Sequence, residues 1–284
     1  MKLEIKELYV RLQKENILKN ISFGIEDGSF VSLLGESGCG KTTLLKSIAG
    51  LLDIESGDIL LDGDSLVPAR PQDRGMVIVF QDLRLFPHMN VEKNICFSME
   101  LKKVPKEEQK KRVRELLADV QLAGFEKRKI QEMSGGQMQR VALARAFAAD
   151  PEILLLDEPF SGLDEKLRVE MGALVKRLQR EKRVTTVLVT HDKKEALQLS
   201  DKIVLMHQGE VVQYADAKEL LCRPSSAIVS EYFGKSAYVA GEVKNGVFAG
   251  EGCRFACGEP DGSYDAMMLL DGGVCCFKPR EGGR

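Results

Sequence analysis

The sequence predicts an α/β fold with a mostly parallel sheet and helices on both of its faces. Runs rich in apolar and β-branched residues, typical of strands buried inside a sheet, occur at 153–156, 184–190 and 203–206. Stretches with helical spacing, near 165–182 and 193–200, separate these runs. Strands that alternate with helices in this way pair in parallel, because each helix returns the chain to the same edge of the sheet.

The N-terminal part of the chain predicts strands followed by one helix. Apolar residues bounded by turn signals at Asp27-Gly28 and Gly35 predict strands within residues 1–35. Leucine and isoleucine residues at helical spacing predict a helix from Lys41 to Leu52. The run Met76–Phe80 is continuously apolar, which predicts a strand that is buried on both faces.

Two regions differ from this pattern. From about Val91 to Ala149 the sequence is helical and highly charged, with a long helix predicted from Met138 to Ala149, so we expect a helical subdomain at about 87–150 beside the sheet. After Gly234 the chain is rich in glycine and has short β-like runs, at Val247-Phe248 and Met267–Leu270. We therefore expect a main domain over 1–234 and a small β-rich unit, joined near Phe233-Gly234-Lys235, over 235–284.

The composition excludes several classes of protein. The 284 residues carry a formal net charge of −2, so no general attraction to nucleic acid or to an anionic membrane is expected. The N-terminus lacks the apolar core of a secretion signal, and no run approaches the ~18 apolar residues that cross a bilayer. Membrane-spanning helices, if the chain works with any, are expected in another polypeptide. The seven cysteines form no regular framework, which favours reduced thiols in the cytosol.

A phosphate-binding loop is predicted between a buried strand and the helix that begins at Lys41. Glycines let successive backbone N–H groups turn toward phosphate, and the helix N-terminus adds partial positive charge. Lys41 would neutralise phosphate oxygens, and the hydroxyl of Thr42 would ligate Mg²⁺. The alternative is a glycine-rich turn that only precedes a helix. The segment with the required spacing is Gly35-Glu36-Ser37-Gly38-Cys39-Gly40-Lys41-Thr42, followed by Thr43.

Two acidic residues, Asp157 and Glu158, directly follow the apolar run 153–156. This position is the carboxyl edge of the predicted sheet, where ligands bind in open α/β folds. We expect Asp157 to hold Mg²⁺ through water and Glu158 to polarise an attacking water. Without a phosphate loop, the pair would mark only a strand end that meets solvent.

A third motif, Ser134-Gly135-Gly136-Gln137, precedes the helix predicted at 138–149 and has the features of an anion-binding helix start. Taken alone, it could equally be a helix cap with flexible glycines. The three motifs in this order resemble the ATP-binding-cassette (ABC) family of transport ATPases over residues 1 to about 234. In that family Ser134 and Gly136 would reach an ATP held by the partner subunit, which implies a head-to-tail homodimer around two ATP molecules.

The resemblance implies roles for further residues. Gln81 resembles the family's glutamine, which senses Mg²⁺ and the attacking water, and it would join Thr42 and Asp157 at the metal. Asp164 lies in a segment similar to the loop that communicates across the dimer. His191 resembles the histidine that contacts the γ-phosphate. The implied catalytic residues are Glu158, His191, Gln81 and Lys41.

One position departs from the family pattern. The family usually stacks an aromatic residue on adenine, and Leu12 occupies that place here. Tyr9 is near, but three positions along a strand its side chain should face the other way. The choice between ATP and GTP therefore stays open at this point.

Two segments resemble those of importers. Arg84–Val91 is similar to the surface by which importer cassettes receive a coupling helix, so a membrane permease is expected to contact Phe86–Val91. The tail resembles the small, OB-like transport-associated (TOBE-like) domain of importers for oxyanions, ferric iron, polyamines or sugars, with an opening strand at Val239–Val243. Near its end, the segment Phe277-Lys278-Pro279-Arg280-Glu281 resembles the arginine-proline-glutamate phrase of such tails.

The resemblance thus implies the ATP-hydrolysing subunit of an importer at the cytoplasmic face of the membrane. Its expected partners are a second copy, two permease subunits and, indirectly, an extracytoplasmic solute-binding protein, with no nucleic acid. Two alternatives are an exporter cassette and a non-transport ABC ATPase that acts on DNA or ribosomes. The tail argues against the first, and the single cassette without long coiled coils argues against the second. A phosphate-loop kinase would leave Ser134–Gln137 and His191 without a role.

Four cysteines lie in the tail, at Cys253, Cys257, Cys275 and Cys276. Their spacing lacks paired Cys-x-x-Cys ligands, and adjacent cysteines rarely bind one tetrahedral ion together. Buried thiols are therefore expected rather than a zinc or cluster site.

Overall fold

The computed structural model describes residues 1–234, 237–250, 253–268 and 274–279. Its strands are β1 Leu3–Leu12, β2 Glu15–Ile25, β3 Phe30–Gly35, β4 Ser56–Leu61, β5 Asp64–Ser65, β6 Met76–Val79, β7 Ile153–Asp157, β8 Thr185–Thr190, β9 Lys202–His207, β10 Glu210–Ala215, β11 Ala237–Lys244, β12 Val247–Gly250, β13 Cys253–Ala256, β14 Gly262–Met268 and β15 Val274–Pro279. Its helices are α1 Lys41–Ile48, α2 Val91–Leu101, α3 Lys106–Asp119, α4 Gly135–Ala148, α5 Glu165–Lys182, α6 Lys193–Leu199, α7 Ala217–Cys222 and α8 Ala227–Phe233.

The central sheet confirms the predicted mostly parallel topology. In the described part of the chain its strand order is β10-β9-β3-β8-β7-β6. Every neighbouring pair is parallel except β10 with β9, which form an antiparallel hairpin. The carboxyl ends of β3, β8, β7 and β6 therefore meet at one edge of the sheet.

The apolar runs are continuous because both faces of the sheet are covered. Along β7, Leu154 and Leu156 enter a core formed with helices α2–α5, whereas Ile153 and Leu155 enter a second core with α1 and the N-terminal strands. All four side chains are fully buried. The alternation follows from the two-residue period of a strand, and it explains why no polar residue interrupts the run.

The structure corrects two helix boundaries. Helix α1 ends at Ile48 rather than Leu52, because Gly50 adopts a positive φ of 74° and turns the chain away. Helix α4 begins at Gly135, not Met138, because Ser134 caps it and both glycines lie inside its first turn.

The strand predictions need two corrections. The run 184–190 forms a strand only from Thr185. Strand β6 spans Met76–Val79 and is not buried on both faces, because it lies at the edge of the central sheet and pairs with β7 alone. Met76, Val77 and Ile78 are accordingly only partly buried.

Residues 53–75 and 208–233 carry no sequence-based prediction. The structure places β4 and β5 in the first range, where they extend β1 and β2 into an antiparallel sheet of order β2-β1-β4-β5. The second range contains β10, α7 and α8. The Asp62-Gly63 turn between β4 and β5, with both residues at positive φ, is a hairpin signal that the sequence does carry.

The tail forms an antiparallel sheet, with the order β13-β12-β11-β14-β15 among the described residues. The predicted opening strand Val239–Val243 lies within β11. The sheet has a small core in which the Phe248 ring packs 5.1 Å from Phe255 and 5.4 Å from Phe277, measured between centroids. Lys235, Leu269, Leu270, Arg280 and Glu281, which belong to predicted tail features, lie outside the described residues.

Cys253 and Cys257 are free, partly buried thiols that pack against this aromatic cluster. Among the residues that the structure describes, no group of three or more His, Cys, Asp or Glu side chains is arranged to hold a metal. The side chains of Cys275 and Cys276 are not among those described. No helix within the described ranges is long and apolar enough to cross a membrane.

A buried arginine, Arg74, connects the end of α1 to the start of β6. Its guanidinium donates to the carbonyls of Ser47 at 3.0 Å, Ile48 at 2.9 Å and Ala69 at 3.1 Å. Burial lowers its pKa, and the partial negative charge at the end of α1 helps to hold the cation. Arg74 thus caps the helix whose other end forms the phosphate loop.

We expect Arg74→Ala to lower the free energy of unfolding by about 2–4 kcal/mol, because the buried carbonyls lose a charged donor. The measurement is urea unfolding followed by circular dichroism. Arg70→Ala is the control, since Arg70 is exposed and pairs only with exposed Asp73, and its removal should cost less than about 1 kcal/mol. Equal effects of the two substitutions would contradict the capping role of Arg74.

Candidate functional site

The carboxyl edge of the central sheet gathers most of the residues that the sequence singles out. The phosphate loop follows β3, Asp157 ends β7, His191 follows β8, and Gln81 lies two residues beyond β6. These strands are neighbours in the sheet and run in parallel, so their ends face the same space. The position corresponds to the place where open α/β sheets bind ligands.

The phosphate loop, Gly35–Lys41, has a backbone that requires glycine. Gly38 and Gly40 have φ values of 85° and 101°, which L side chains rarely adopt. A Cβ at Gly40 would also lie 2.7 Å from the Leu18 side chain, whereas one at Gly38 would meet no atom within 4 Å. The loop is therefore packed on its inner side and open on the other, as a phosphate cradle must be.

Lys41 is buried, and its ammonium group is held by the loop itself. Nζ donates to the carbonyl of Gly35 at 2.8 Å and to that of Glu36 at 2.7 Å, with Cys39 Sγ at 3.8 Å. These partners are neutral acceptors that phosphate oxygens can replace. The ammonium group is thus positioned at the loop by neutral partners, and none of these contacts is with a carboxylate.

Thr42 and Asp157 form a polar pair beneath the loop. The Thr42 hydroxyl donates to Asp157 Oδ1 at 3.0 Å. Burial raises the pKa of Asp157 above its usual range, while the Thr42 hydrogen bond and the charge of Lys46 act in the opposite direction. A hydroxyl beside a buried carboxylate is an oxygen donor set that fits Mg²⁺, which takes one or two carboxylates and completes its shell with water and phosphate.

Glu158 and His191 are in contact at the same edge. His191 Nδ1 lies 3.2 Å from Glu158 Oε2, and the side chains are 60% and 26% exposed. Glu158 has a φ of 45°, and its N–H donates to the Val189 carbonyl at 3.0 Å. A left-handed conformation costs a non-glycine residue about 1–2 kcal/mol. The chain therefore presents this carboxylate on a strained backbone that the neighbouring strand holds in place.

The Ser134–Gln137 segment forms a reciprocal cap at the start of α4. Ser134 Oγ accepts from the Gln137 N–H at 3.4 Å, and the Ser134 N–H donates to Gln137 Oε1 at 3.1 Å. Ser134 and Gly135 are exposed, whereas Gly136 is buried. No hydrogen bond within the described ranges joins this segment to the phosphate loop of the same chain.

Four other residues considered from the sequence lie on the surface. Gln81 is exposed. Asp164 is exposed and caps α5, with Oδ1 accepting from the Leu167 N–H at 2.9 Å. Leu12 and Tyr9, on β1, are 37% and 36% exposed, so both remain available to a nucleotide base.

Two residues without a sequence-based prediction shape the segment before Val91. Asn94, in α2, is fully buried and exchanges hydrogen bonds with both main-chain groups of Phe86. Arg145, in α4, donates to the carbonyls of Leu83 at 2.8 Å and Arg84 at 2.7 Å. A polar residue among the apolar positions of each helix is the signal that could have revealed them.

The raised pKa of Asp157 predicts that Asp157→Asn stabilises the nucleotide-free protein, by about 0.5–2 kcal/mol above neutral pH. In the wild type, the pKa of Asp157 is higher in the folded than in the unfolded protein. Its charged carboxylate therefore lowers the free energy of unfolding in full above the folded pKa, and this loss vanishes below the unfolded pKa of about 3.9. Urea unfolding at several pH values measures the difference. Asp201→Asn should lower stability instead, since Asp201 accepts from Phe30 N and Lys176. A destabilised Asp157→Asn variant would contradict this electrostatic assignment.

Comparisons with known proteins confirm the family resemblance. Residues 18–161 match the model of the family described as "ABC transporter". The Fe(3+) ions import ATP-binding protein FbpC 1 of Haemophilus influenzae is 42% identical over 245 residues, which are 86% of this chain and 75% of that protein. The protein FbpC of Pasteurella multocida, described in the same way, is 42% identical over 253 residues, 89% of this chain and 72% of its own.

A solved structure leads to the same family. It is cbiO1 from Clostridium perfringens, described as part of the ABC transporter complex cbiONQ, and it shares 31% identity and a TM-score of 0.72 with this chain. The likeness covers 77% of this chain and 89% of cbiO1. The chain therefore belongs to the ABC transporter family, as an ATP-binding subunit of the importer type.

Proposed function

We propose that two copies of this chain close head to tail around two ATP molecules and drive solute import through a separate membrane permease. One observation carries the proposal. The phosphate loop, Asp157, Glu158 and His191 lie at one edge of the sheet, whereas the Ser134–Gln137 cap, exposed at Ser134 and Gly135, forms no hydrogen bond with that loop in the described part of the chain. A second copy would supply that cap.

ATP binding rests on the phosphate loop and its helix. Backbone N–H groups of Gly35–Gly40 and the N-terminus of α1 would surround the phosphates, and Lys41 would exchange its carbonyl partners for phosphate oxygens. Thr43 and the loop side chains of Glu36, Ser37 and Cys39 would lie around this site. Leu12 would offer the base apolar contact without aromatic stacking.

Thr42, Asp157 and Gln81 would hold Mg²⁺. When bound, the ion neutralises the charge that develops on the transferred phosphate. Thr42 already donates to Asp157, which keeps both oxygen donors side by side. Burial raises the pKa of Asp157, and a cation bound nearby would act against this by favouring the charged carboxylate.

Hydrolysis requires a base and a group that orients the γ-phosphate. Glu158 would accept a proton from water as the water oxygen bonds to the γ-phosphorus, and the bond from that phosphorus to the bridging oxygen would break, giving ADP and phosphate. His191, in contact with Glu158 through Nδ1, would hold the carboxylate and reach the γ-phosphate with its other nitrogen. In the dimer, Ser134 and Gly136 of the second copy would close this site, with Asp164 near the interface.

The permease would dock on the segment Phe86–Val91. Asn94 bonds the main chain of Phe86, Arg145 holds the adjoining Leu83 and Arg84 carbonyls, and the Phe86 ring packs 4.6 Å from the Phe97 ring between centroids. A segment fixed in this way can transmit the movement of a helix of another subunit. This arrangement would place the protein at the cytoplasmic face of the membrane, with an extracytoplasmic solute-binding protein as an indirect partner. Residues 235–284 would form a TOBE-like domain separate from the 1–234 domain.

The relatives favour ferric iron as the transported solute, because both FbpC proteins are described as Fe(3+) importers. The chain itself offers no cluster of metal-binding side chains within its described residues. Selection of the solute would therefore fall to the permease and the solute-binding protein. Uptake of radioactive iron by cells with and without the gene tests this assignment, and unchanged uptake would count against it.

Glu158→Gln tests the catalytic assignment. Removal of the base should lower the ATP turnover number by about 10²–10⁴-fold while ATP binding persists, so that ATP traps the closed dimer. Steady-state phosphate release and size-exclusion chromatography with ATP are the measurements. Glu165→Gln, which alters an exposed acid outside the site, is the control and should keep normal turnover. Normal steady-state ATPase activity of Glu158→Gln would contradict the catalytic role assigned to Glu158.

His88→Glu tests the permease surface. His88 is exposed in the proposed docking segment, and a new negative charge there should reduce recovery of the permease with the tagged chain by about tenfold. Mass spectrometry of material purified from detergent-solubilised membranes measures this. Gln198→Glu makes the same change of charge on exposed α6 and should leave recovery unchanged. Capture of ribosomes or DNA by the wild type, in place of a polytopic membrane protein, would favour the non-transport alternative.

A further inference from the structure

We propose that Gln139 is a positioning residue that links the Ser134–Gln137 cap to the catalytic loop of its own chain, residues 158–164, and so couples the two ATP sites. The coupling rests on the proposed head-to-tail dimer. Gln139 lies in α4, is 7% exposed, and donates through Nε2 to the Pro159 carbonyl at 2.9 Å. The bonded carbonyl belongs to the Pro159–Phe160 peptide, one residue beyond Glu158, so the contact acts on the chain close to the proposed base.

This hydrogen bond matters because proline leaves few alternatives. Pro159 has no N–H, so its carbonyl is the only main-chain group through which hydrogen bonding can hold the residue. Glu158, the preceding residue, has a strained φ of 45°, its N–H donates to the Val189 carbonyl, and its own carbonyl accepts from the Ser161 N–H at 3.2 Å. The Gln139 bond adds a restraint on the next peptide, Pro159–Phe160, so a shift of Gln139 would move that peptide and, through Pro159, alter the conformation of Glu158.

A second contact links the other end of the catalytic loop to the same helix. Gly136 packs so closely on α5 that an added Cβ would lie 2.8 Å from Leu167 Cδ2. The N–H of Leu167 donates to Asp164, the last residue of the loop. Gly136 and Gln139 are three residues apart, so they lie on one face of α4. That face bonds Pro159 near the start of the catalytic loop and packs on Leu167, which is bonded to Asp164 at the loop's end, while Ser134 remains exposed.

The chemistry of Gln139 indicates a positional role rather than a stabilising one. Its Oε1 is buried and has no hydrogen-bond partner among the described residues. An unsatisfied buried acceptor is unfavourable, which offsets the gain from the Nε2 bond. An apolar side chain of similar volume would therefore fill this space at little or no loss of stability, but it would not hold the Pro159 carbonyl.

The consequence is a path between two active sites. The Ser134–Gln137 cap of one chain would contact the ATP bound by the second copy, while its Gln139 contacts the loop that carries its own Glu158. Closure of the cap on one ATP would then adjust the base that acts on the other ATP. Hydrolysis should accordingly depend on ATP concentration with a Hill coefficient above 1.

Gln139→Met removes the donor but preserves the volume. The matched control is Gln179→Met. Gln179 is also buried, donates through Nε2 to the carbonyls of Gly28 and Val184, has an unpartnered Oε1, and lies at the far end of α5. The test uses ATPase assays of the purified full-length protein with its permease, together with binding of a fluorescent ATP analogue.

We expect Gln139→Met to lower the Hill coefficient to about 1 and the turnover number by about tenfold, with affinity for the analogue changed less than about twofold. Gln179→Met should retain the wild-type Hill coefficient. If Gln139→Met keeps the wild-type Hill coefficient and turnover, the inference is wrong and the proposed function stands. A wild type that hydrolyses ATP with a Hill coefficient of about 1 also overturns the inference, whereas a wild type without ATPase activity overturns the proposed function itself.

Mixed dimers separate positioning from folding. In a dimer whose second subunit carries Glu158→Gln, only the Glu158 of the first subunit can act. Gln139→Met should lower the remaining activity more when it is in the same subunit as that Glu158 than when it is in the other one. Equal losses in the two arrangements would show a general structural effect and would overturn the inference.

Discussion

The parallel pairing of β3, β8, β7 and β6 is the constraint on which the rest of the molecule depends. Parallel strands bring equivalent ends together, so the chain segments that leave those ends meet although they are far apart in sequence. Such a sheet must be covered on both faces, which is why α1 and the N-terminal strands lie on one side and α2–α5 on the other. The polar groups of the site therefore lie at the rim of a largely apolar interior.

Cations in and near this site are held by main-chain carbonyls. Lys41 donates to two carbonyls of the phosphate loop, and Arg74 donates to carbonyls at the opposite end of α1. Carbonyl oxygens satisfy the hydrogen-bonding capacity of a buried cation without cancelling its charge. The carboxyl group of Asp157 is likewise buried beside a neutral hydroxyl, and this burial raises its pKa because it disfavours the charged form.

The features that the sequence predicts are those set by local rules. Glycine spacing predicted the tight loop before α1, where Gly38 and Gly40 have positive φ, and apolar runs predicted the buried strands, because each depends on neighbours within a few residues. Strand β6 was misjudged because its apolar run does not reveal that it lies at an edge. Polar residues among apolar helix positions mark Asn94 and Arg145 in the sequence, but the partners of Asn94, Arg145 and Gln139 could not be predicted, since only the folded topology brings those main-chain segments near.

The Lys41 contacts would make the loop a competitor of its own ligand if phosphate binds as proposed. The carbonyls of Gly35 and Glu36 hold the ammonium group, so phosphate would have to displace them and part of the intrinsic affinity would be spent on breaking these bonds. The same bonds could re-form as phosphate leaves, which would lower the barrier to product release. In the proposed function, such a loop would favour rapid turnover over tight retention of nucleotide.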